Sequence, residues 1–223
     1  MIAQKKRKAD AIVLAIEAKI INGDFRPGEK LDERNLAETF NVSRTPIREA
    51  LLRLVSAGMI TDSGRGSVIV SKPTVSAVLD AFLVVSELEG LAARQSARRI
   101  LPEQNAALIA ANSACEHAAN AGDFSSFNAA NMRLHDMIIE SAQNQLLTAQ
   151  LKSARVITLP YRHFVTRFPG YMVASVAEHA AIIASIASGD ADLAHRLMRE
   201  HVSLQGEQLI DAVRMLELET SKI

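Results

Sequence analysis

Residues 42–51, Val42-Ser43-Arg44-Thr45-Pro46-Ile47-Arg48-Glu49-Ala50-Leu51, decide the fold of the first part of this chain. Ser43 can cap a helix here, and Pro46 falls in the first turn, where its missing amide hydrogen costs little. Another short helix is predicted just before it, over 33–40, with Asp32 as the N-cap. Because so few residues separate the two helices, the sequence predicts helix-turn-helix geometry.

The flanking sequence completes a small domain. Upstream, apolar residues recur at helical spacing over 9–21, and Asn22-Gly23 ends the pattern. Downstream of Gly58, two short apolar runs, 59–61 and 67–70, flank a glycine-containing turn, which predicts a β-hairpin. We therefore expect a winged helix-turn-helix over residues 1–72.

Polar and basic side chains cluster where such a fold meets DNA. The start of the second helix enters the major groove, and Arg44 and Arg48 lie one turn apart on one face of it. A lone arginine is more often an exposed surface charge, but several at the expected places favour DNA contact. The candidates are Arg34, Ser43, Arg44, Thr45, Arg48 and, at the hairpin tip, Arg65.

The charge distribution agrees with this interpretation. The formal net charge is +0, yet residues 1–72 contain 13 Lys and Arg against 9 Asp and Glu, whereas residues 73–223 contain 12 against 16. A basic first part favours a polyanionic partner. The chain has no apolar run of the roughly 20 residues that span a membrane, and its charged start is unlike a signal peptide, so we expect no membrane partner and a cytoplasmic location. The single cysteine, Cys115, excludes a disulfide within one chain.

The first part of the chain also resembles a known family. The motif Gly23-x-x-x-Pro27-Gly28-x-x-Leu31, followed by Leu36-Ala37, the stretch 42–51, Leu54, Gly58 and Ile60, is similar to the DNA-binding domain of GntR transcriptional regulators. The resemblance implies that double-stranded operator DNA is the partner. It implies DNA contacts by Arg34, Arg44, Thr45 and Arg48, and a wing formed by Gly64, Arg65 and Gly66.

The second part of the chain is predicted to be all-helical. After a linker over 73–76, helical patterns separated by turn formers occupy 75–99, 102–121, 124–142, 146–168, 175–188 and 191–216. An antiparallel bundle of these six helices, in a domain over 77–218, is the simplest packing. The expected fold class is mainly α, with the winged helix-turn-helix in front of the bundle.

Histidines are the informative residues of this bundle, because neutral imidazole is a common ligand of divalent metals. Asn131 and His135 are four residues apart and share one helix face, and His179 and His201 can complete a set of four ligands. Histidines in a helical bundle can equally be buried and hydrogen-bonded without a metal. Spacing across separate helices does not decide between these alternatives.

A second resemblance bears on this question. Asn131-x-x-Leu134-His135, Ser175-x-x-Glu178-His179, Gly189-Asp190 and His201 are similar to the ligand-sensing C-terminal domain of FadR-type regulators, the FCD domain. The resemblance spans 77–215 and implies a divalent metal, zinc or nickel, held by Asn131, His135, His179 and His201. Leu134 replaces an aromatic residue of the family pattern, and the neutral Asn131 stands where a carboxylate is common.

The effector side of the resemblance departs from the family as well. The motif Leu88-Glu89-Gly90-Leu91-Ala92-Ala93-Arg94 matches, but Val85 stands where an upstream arginine is often found. In relatives such an arginine helps to hold an effector carboxylate. Arg155 and Arg162, with the neighbouring Tyr161, are the candidates to replace it.

The leading hypothesis is a homodimeric transcriptional regulator, not an enzyme, whose operator affinity depends on a small carboxylate bound near a metal. Two identical DNA-reading domains suit a palindromic operator. The alternative is a metal-dependent hydrolase that uses the three histidines, although Glu178 beside His179 is a poor candidate for its base because helix neighbours point apart. A scaffold that uses the winged helix for protein contacts is a third, weaker hypothesis.

Overall fold

The computed structural model describes residues 2–21, 23–64 and 67–203. The chain divides into two compact units, Met1–Thr74 and Val75–Ile223. Each unit buries its own apolar side chains. In the described part of the chain, no helix is long and apolar enough to cross a membrane.

The first unit contains the elements of a winged helix-turn-helix. Its order is α1 (Ile2–Ile21), β1 (Lys30–Asp32), α2 (Glu33–Thr39), α3 (Arg44–Ser56), β2 (Ile60–Gly64) and β3 (Ser67–Val70). Helix α1 packs on α3, and both bury apolar residues three and four apart, as one-sided helices do. The buried residues of this pair include Ile12, Ile16, Ile20, Ile47, Leu51 and Leu54.

The wing has one more strand than the sequence predicted. The hairpin of β2 and β3 is confirmed, and β1 adds to the far side of β3, giving the antiparallel order β1-β3-β2 with Leu31 opposite Val68. Strand β1 is only three residues long, and its partner lies more than thirty residues away in the sequence. A local pattern does not reveal such a strand.

The helix ends follow the predicted chemistry in part. The Asp32 carboxylate accepts hydrogen bonds from the backbone of Arg34 at 2.8 Å and Asn35 at 3.2 Å, so this capping prediction is confirmed. Ser43 occupies the N-cap of α3 with extended backbone, but its side chain makes no capping hydrogen bond within the described residues. Helix α1 begins at Ile2, seven residues before the predicted start.

Six helices make up the described part of the second unit, in agreement with the sequence prediction. They are α4 (Val75–Arg99), α5 (Pro102–Ala121), α6 (Phe124–Ser141), α7 (Gln145–Val165), α8 (Tyr171–Ala187) and α9 (Ala191–Ser203). Helix α4 has the predicted bounds, 75–99, and so overlaps the last two residues of the predicted linker 73–76, whereas α8 starts four residues early. The predicted continuation of the last helix to 216 and the domain end at 218 lie outside the described residues.

Helix α4 lies at the centre of the second unit, where it contacts α6, α7, α8 and α9. It runs antiparallel to α9, since Glu87 pairs with Arg199 at 3.4 Å whereas Arg94, further along α4, pairs with Asp192 at 2.5 Å. Around it, apolar side chains from all six helices form one core. Buried histidine, arginine, glutamate and asparagine side chains interrupt this core at one place.

Candidate metal and DNA-binding sites

The start of α3 presents the polar residues that the sequence singled out. Ser43, Arg44 and Thr45 are exposed in the first turn, and Arg48 is exposed one turn later. Arg34 is exposed on α2. This surface can therefore meet a polyanion without any rearrangement of the core.

Two of these arginines are held by glutamates of α2. Arg48 donates from Nε and Nη2 to the two carboxylate oxygens of Glu33, at 3.1 and 2.9 Å, and this pairing raises the pKa of Arg48. The Glu33 side chain is 13% exposed and that of Arg48 is 65% exposed. Arg34 donates to Glu38 at 3.1 Å. The pairing with Glu33 fixes the direction of Arg48 while its outer edge stays accessible.

The predicted wing residues are described only in part. Gly64 ends β2 with a φ of 79°, a left-handed conformation that favours glycine. Arg65 and Gly66 lie outside the described residues.

Helices α6, α8 and α9 bring His135, His179 and His201 together. The Nε2 atom of His201 lies 3.2 Å from that of His179 and 3.2 Å from that of His135. All three rings are almost completely buried. Two imidazole nitrogens on one zinc ion, each about 2.1 Å from it, are about 3.4 Å apart in tetrahedral geometry, so the spacing fits a divalent metal.

Hydrogen bonds on the far side of two rings fix which nitrogens face the cluster. His135 Nδ1 donates to Glu89 Oε2 at 2.5 Å, and His201 Nδ1 donates to Glu178 Oε2 at 2.6 Å. A carboxylate only accepts, so each Nδ1 carries the proton and each Nε2 of a neutral ring presents a lone pair. Lone pairs 3.2 Å apart repel each other unless a cation lies between them.

Burial favours the neutral form of His135 and His179. It lowers the pKa of His135 to about 3, although the neighbouring Glu89 opposes the shift. It also lowers the pKa of His179 well below the usual value, with His201 and His135 adding to the effect. Neutral imidazole is the form that binds a metal.

Asn131 lies on the same helix face as His135 and provides an amide oxygen as a fourth candidate ligand. The residue is 9% exposed and its Oδ1 atom is buried without a hydrogen-bond partner among the described residues. Both Asn131 and His135 line one small cavity. An unpaired buried carbonyl oxygen is costly, and binding to a cation would satisfy it.

Glu89 of α4 joins the histidines to two buried arginines. Its Oε1 accepts from Arg155 Nε at 2.9 Å and from Arg162 Nη1 at 2.8 Å, while Oε2 accepts from His135. Burial by itself would raise the pKa of Glu89, but Arg155, Arg162 and His135 hold it well below its usual range. The carboxylate is therefore ionised inside the core.

The cavity beside this network is small, about 20 Å³, and it opens partly to the surface. Arg162 directs Nε and Nη2 into buried surroundings where neither has a hydrogen-bond partner among the described residues. Val85, in the place of the expected arginine, and Tyr161 are buried in the apolar core. The cavity is lined by Asn128, Asn131, Met132, His135, Arg155, Leu159 and Arg162, so it includes two of the three candidate effector residues but not Tyr161.

Comparison with protein families agrees with this two-part architecture. The family described as bacterial regulatory proteins, gntR family, matches residues 8–70, and the FCD domain family matches residues 80–204. The chain is a GntR-family regulator with an FCD domain.

Relatives of this GntR regulator match it over part or most of their length. It is 25% identical to the HTH-type transcriptional repressor RspR of Escherichia coli (strain K12), over 91% of this chain and 87% of that protein. It is 34% identical to the Nta operon transcriptional regulator of Aminobacter aminovorans, over 38% of this chain and 40% of that protein. The structure of E. coli McbR/YncC superimposes with a TM-score of 0.84 at 20% identity, covering 92% of this chain and 97% of that chain, which shows a shared fold.

The family membership makes this GntR regulator a transcription factor and not an enzyme, which removes the hydrolase alternative. Glu178 was the candidate base for that alternative. Its carboxylate instead accepts a hydrogen bond from Nδ1 of His201.

The sequence reasoning missed what Glu89 and Glu178 contact. Both residues belong to motifs of the FCD resemblance, but their histidine partners lie on other helices, 46 and 23 residues away in the sequence. The sequence offered one indirect indication of such partners. A metal-binding histidine usually donates its second ring N–H to a carboxylate or a carbonyl.

Proposed function

We propose that this regulator binds operator DNA as a homodimer, and that a small carboxylate bound beside a divalent metal changes its operator affinity. The observation that carries the proposal is the convergence of three buried imidazole rings beside a cavity lined by Arg162, whose Nε and Nη2 have no partner among the described residues. Imidazole sets of this kind suit zinc or nickel.

The DNA-binding part of the proposal rests on the exposed face of α3. Arg44 and Thr45 at the helix start and Arg48 one turn later can reach base edges and phosphates in the major groove, with Arg34 on the flanking backbone. The wing, with Gly64, Arg65 and Gly66, adds a further contact. Two such heads fit a palindromic operator, which supports a homodimer. Because the operator belongs to the bacterial chromosome, the proposal places the regulator in the cytoplasm.

His135, His179, His201 and Asn131 would hold the metal. The fit is supported by the Nε2 lone pairs of His135 and His201, which face each other at 3.2 Å. The Nε2 atom of His179 lies at the same distance from that of His201, and Oδ1 of Asn131 is unpartnered among the described residues. When bound, a divalent ion would supply positive charge that attracts an anionic oxygen placed beside it. Because all four protein ligands are neutral, they leave the charge of the ion uncompensated, and this favours an anionic effector.

Arg162 is the residue best suited to the effector carboxylate. Its Nη1 is held by Glu89, whereas Nε and Nη2 remain for a ligand in the cavity. A guanidinium edge with two donors matches the two oxygens of a carboxylate. Arg155 lines the same cavity. Arginines from α7 thus replace the arginine that relatives carry at the position of Val85.

An effector changes DNA binding only if it favours one arrangement of the dimer over the other. In this proposal the ligand contacts α6 and α7 and, through the histidines, α8 and α9. We propose that a shift of these helices changes the arrangement of the two winged helix-turn-helix domains of the dimer. The proposal does not distinguish repression from activation.

Metal analysis tests the proposal most directly. Full-length protein should contain close to one zinc or nickel ion per chain by mass spectrometry of the digested protein, and His179→Ala should lose it. His117→Ala is the matched control, because His117 is exposed on α5 and its ring hydrogen-bonds the backbone oxygen of Ser113 in its own helix, away from the three histidines. Wild-type protein that binds neither ion, even after incubation with each, would overturn the metal part.

A thermal-shift screen of small carboxylates on the metal-loaded protein tests the effector part. The expected result is stabilisation by at least one carboxylate, with the shift lost in Arg162→Gln. A stabilising carboxylate that acts equally on Arg162→Gln would contradict the assignment of this residue.

A further inference from the structure

Glu89 contacts both halves of the proposed site with one side chain. Its Oε2 accepts the Nδ1 proton of His135, and its Oε1 accepts from Arg155 and Arg162. The residue is 1% exposed, so water does not screen these contacts. We propose that Glu89 is a positioning residue that couples metal affinity to the state of the arginines that face the effector cavity. This inference rests on the proposed function, since it requires a metal at the three histidines.

Glu89 orients the ring of His135. With Nδ1–H held by Glu89 Oε2, the ring is fixed in the tautomer that presents Nε2 to His201, 3.2 Å away. Such contacts from outside the ligand set orient a metal-binding imidazole and make it a better donor. Loss of this carboxylate should therefore weaken metal binding by about 10–100-fold.

Arg162 is held by the same carboxylate. Glu89 Oε1 accepts from its Nη1, whereas Nε and Nη2 are buried without a partner among the described residues, and the side chain lines the cavity. The carboxylate therefore sets where the free edge of this guanidinium points. Arg155 is held between the same oxygen and Asp136 on α6, the latter at 2.6 Å from its Nη1.

His135 and Arg162 compete for the negative charge of one carboxylate, that of Glu89. A cation at His135 Nε2 makes Nδ1–H a stronger donor and draws the negative charge of Glu89 toward Oε2. The hold of Oε1 on Arg162 then weakens, and Arg162 becomes a better partner for a carboxylate ligand. Binding coupling is reciprocal, so a carboxylate bound at Arg162 should in turn change the affinity of the histidines for a metal.

Glu178 provides a matched comparison. It accepts the Nδ1 proton of His201 at 2.6 Å, as Glu89 does for His135. Within the described residues its recorded hydrogen bond is to His201, and no arginine is paired with it. Glu178 thus orients one metal-ligand histidine and is not paired with an arginine. Its removal should weaken metal binding by an amount that does not depend on Arg162.

A double-mutant cycle with zinc alone tests the proposal. The Zn²⁺ affinity of full-length wild type, Glu89→Gln, Arg162→Gln and the double variant is measured by competition with a chromophoric chelator, with folding checked by circular dichroism. In a second cycle Glu178→Gln replaces Glu89→Gln. We expect each glutamate variant to bind zinc about 10–100-fold more weakly than wild type.

The cycles then separate the two glutamates. The effect of Arg162→Gln on the zinc affinity should differ by about threefold or more between the wild-type and Glu89→Gln backgrounds. It should be the same, within about twofold, in the wild-type and Glu178→Gln backgrounds. Equal effects of Arg162→Gln in all three backgrounds would overturn the coupling.

Two further results keep the test decisive. If Glu89→Gln does not fold, Glu89→Asp takes its place, because it keeps the charge but shortens the reach to both partners, and the same comparison applies. Wild-type protein without zinc affinity would contradict the proposed function itself, whereas normal zinc affinity with additive cycles contradicts only the coupling through Glu89.

Discussion

Gly90 of α4 lies directly against His195 of α9. A Cβ atom at Gly90 would be 3.0 Å from the backbone oxygen of His195 and 3.1 Å from Cδ2 of its ring, closer than ordinary van der Waals contact. The two helices therefore approach each other as closely as a glycine allows. This approach sets the position of the next turns of α9, which carry His201 to the metal site.

The first prediction is that Gly90→Ala weakens the metal site without unfolding the protein. The added methyl group must push α9 away from α4 and move His201 relative to His135 and His179. Overpacking of this kind costs about 1–3 kcal/mol, and zinc affinity should fall with it. Thermal unfolding and chelator competition measure the two effects, with Ser76→Ala on the exposed face of α4 as control. Unchanged zinc affinity would show that the close contact does not position His201.

The second prediction concerns pH and the metal-free protein. Burial lowers the pKa of His135 to about 3, whereas in the unfolded chain it is near 6.5. Between these values the unfolded state binds more protons, so stability is complete above about pH 6.5 and decreases as the pH falls toward 3. The slope contributed by one such ring approaches roughly 1.4 kcal/mol per pH unit.

Urea unfolding of the metal-free protein at pH 7 and pH 5 measures this dependence. His135→Gln removes the titrating ring, so the loss of unfolding free energy between the two pH values should be smaller in that variant. A variant that loses as much stability as wild type would mean that His135 is not held neutral in the folded protein.

The third prediction separates two arginines of the recognition helix. Arg48→Ala should weaken operator binding by about 1–3 kcal/mol, because the outer edge of this side chain is presented on the exposed face of α3. Arg53→Ala is the control, since Arg53 lies near the other end of α3 and pairs with Asp10 of α1. Fluorescence anisotropy with labelled operator DNA gives both affinities. Equal losses in the two variants would argue against specific contact by Arg48.

The fourth prediction tests the neutral ligand. Asn131→Asp places a carboxylate where the unpartnered Oδ1 now lies, and its charge should raise zinc affinity by roughly tenfold or more, which corresponds to about 1.4 kcal/mol. The metal-free variant should be less stable, since a buried carboxylate without a partner is costly. Asn128→Asp, which lines the same cavity, is the matched control. Tighter zinc binding in the control alone would place the ligand elsewhere.

Local patterns in the sequence were sufficient for most of the fold. The stretch 42–51 contains both the short connection and the proline that place α3, and turn formers such as Gly122-Asp123 mark the helix ends of the bundle. Strand β1 could not be predicted, because three residues have no periodicity and their partner is remote. The end of the last predicted helix falls outside the described residues.

The candidate site was predictable in its ligands but not in its supporting contacts. Asn131 and His135 share a helix face by spacing alone. His179 and His201 were candidates as further imidazoles of the bundle, and the family resemblance favoured the complete set. The position of Glu89 between His135 and Arg162 depends on the packing of α4 against α6 and α7, which no local pattern contains. Tyr161 was a candidate because it adjoins Arg162, yet helix neighbours point apart and it lies in the apolar core.

The central claim is that this chain is a sequence-specific DNA-binding regulator, and an anisotropy titration tests it most directly. Purified protein is titrated, at physiological salt, against labelled DNA from upstream of its own gene and against a scrambled duplex. The account predicts saturable binding to the upstream DNA that is at least about 10³-fold tighter than to the scrambled duplex. Equal, weak and strongly salt-dependent binding to both would contradict it.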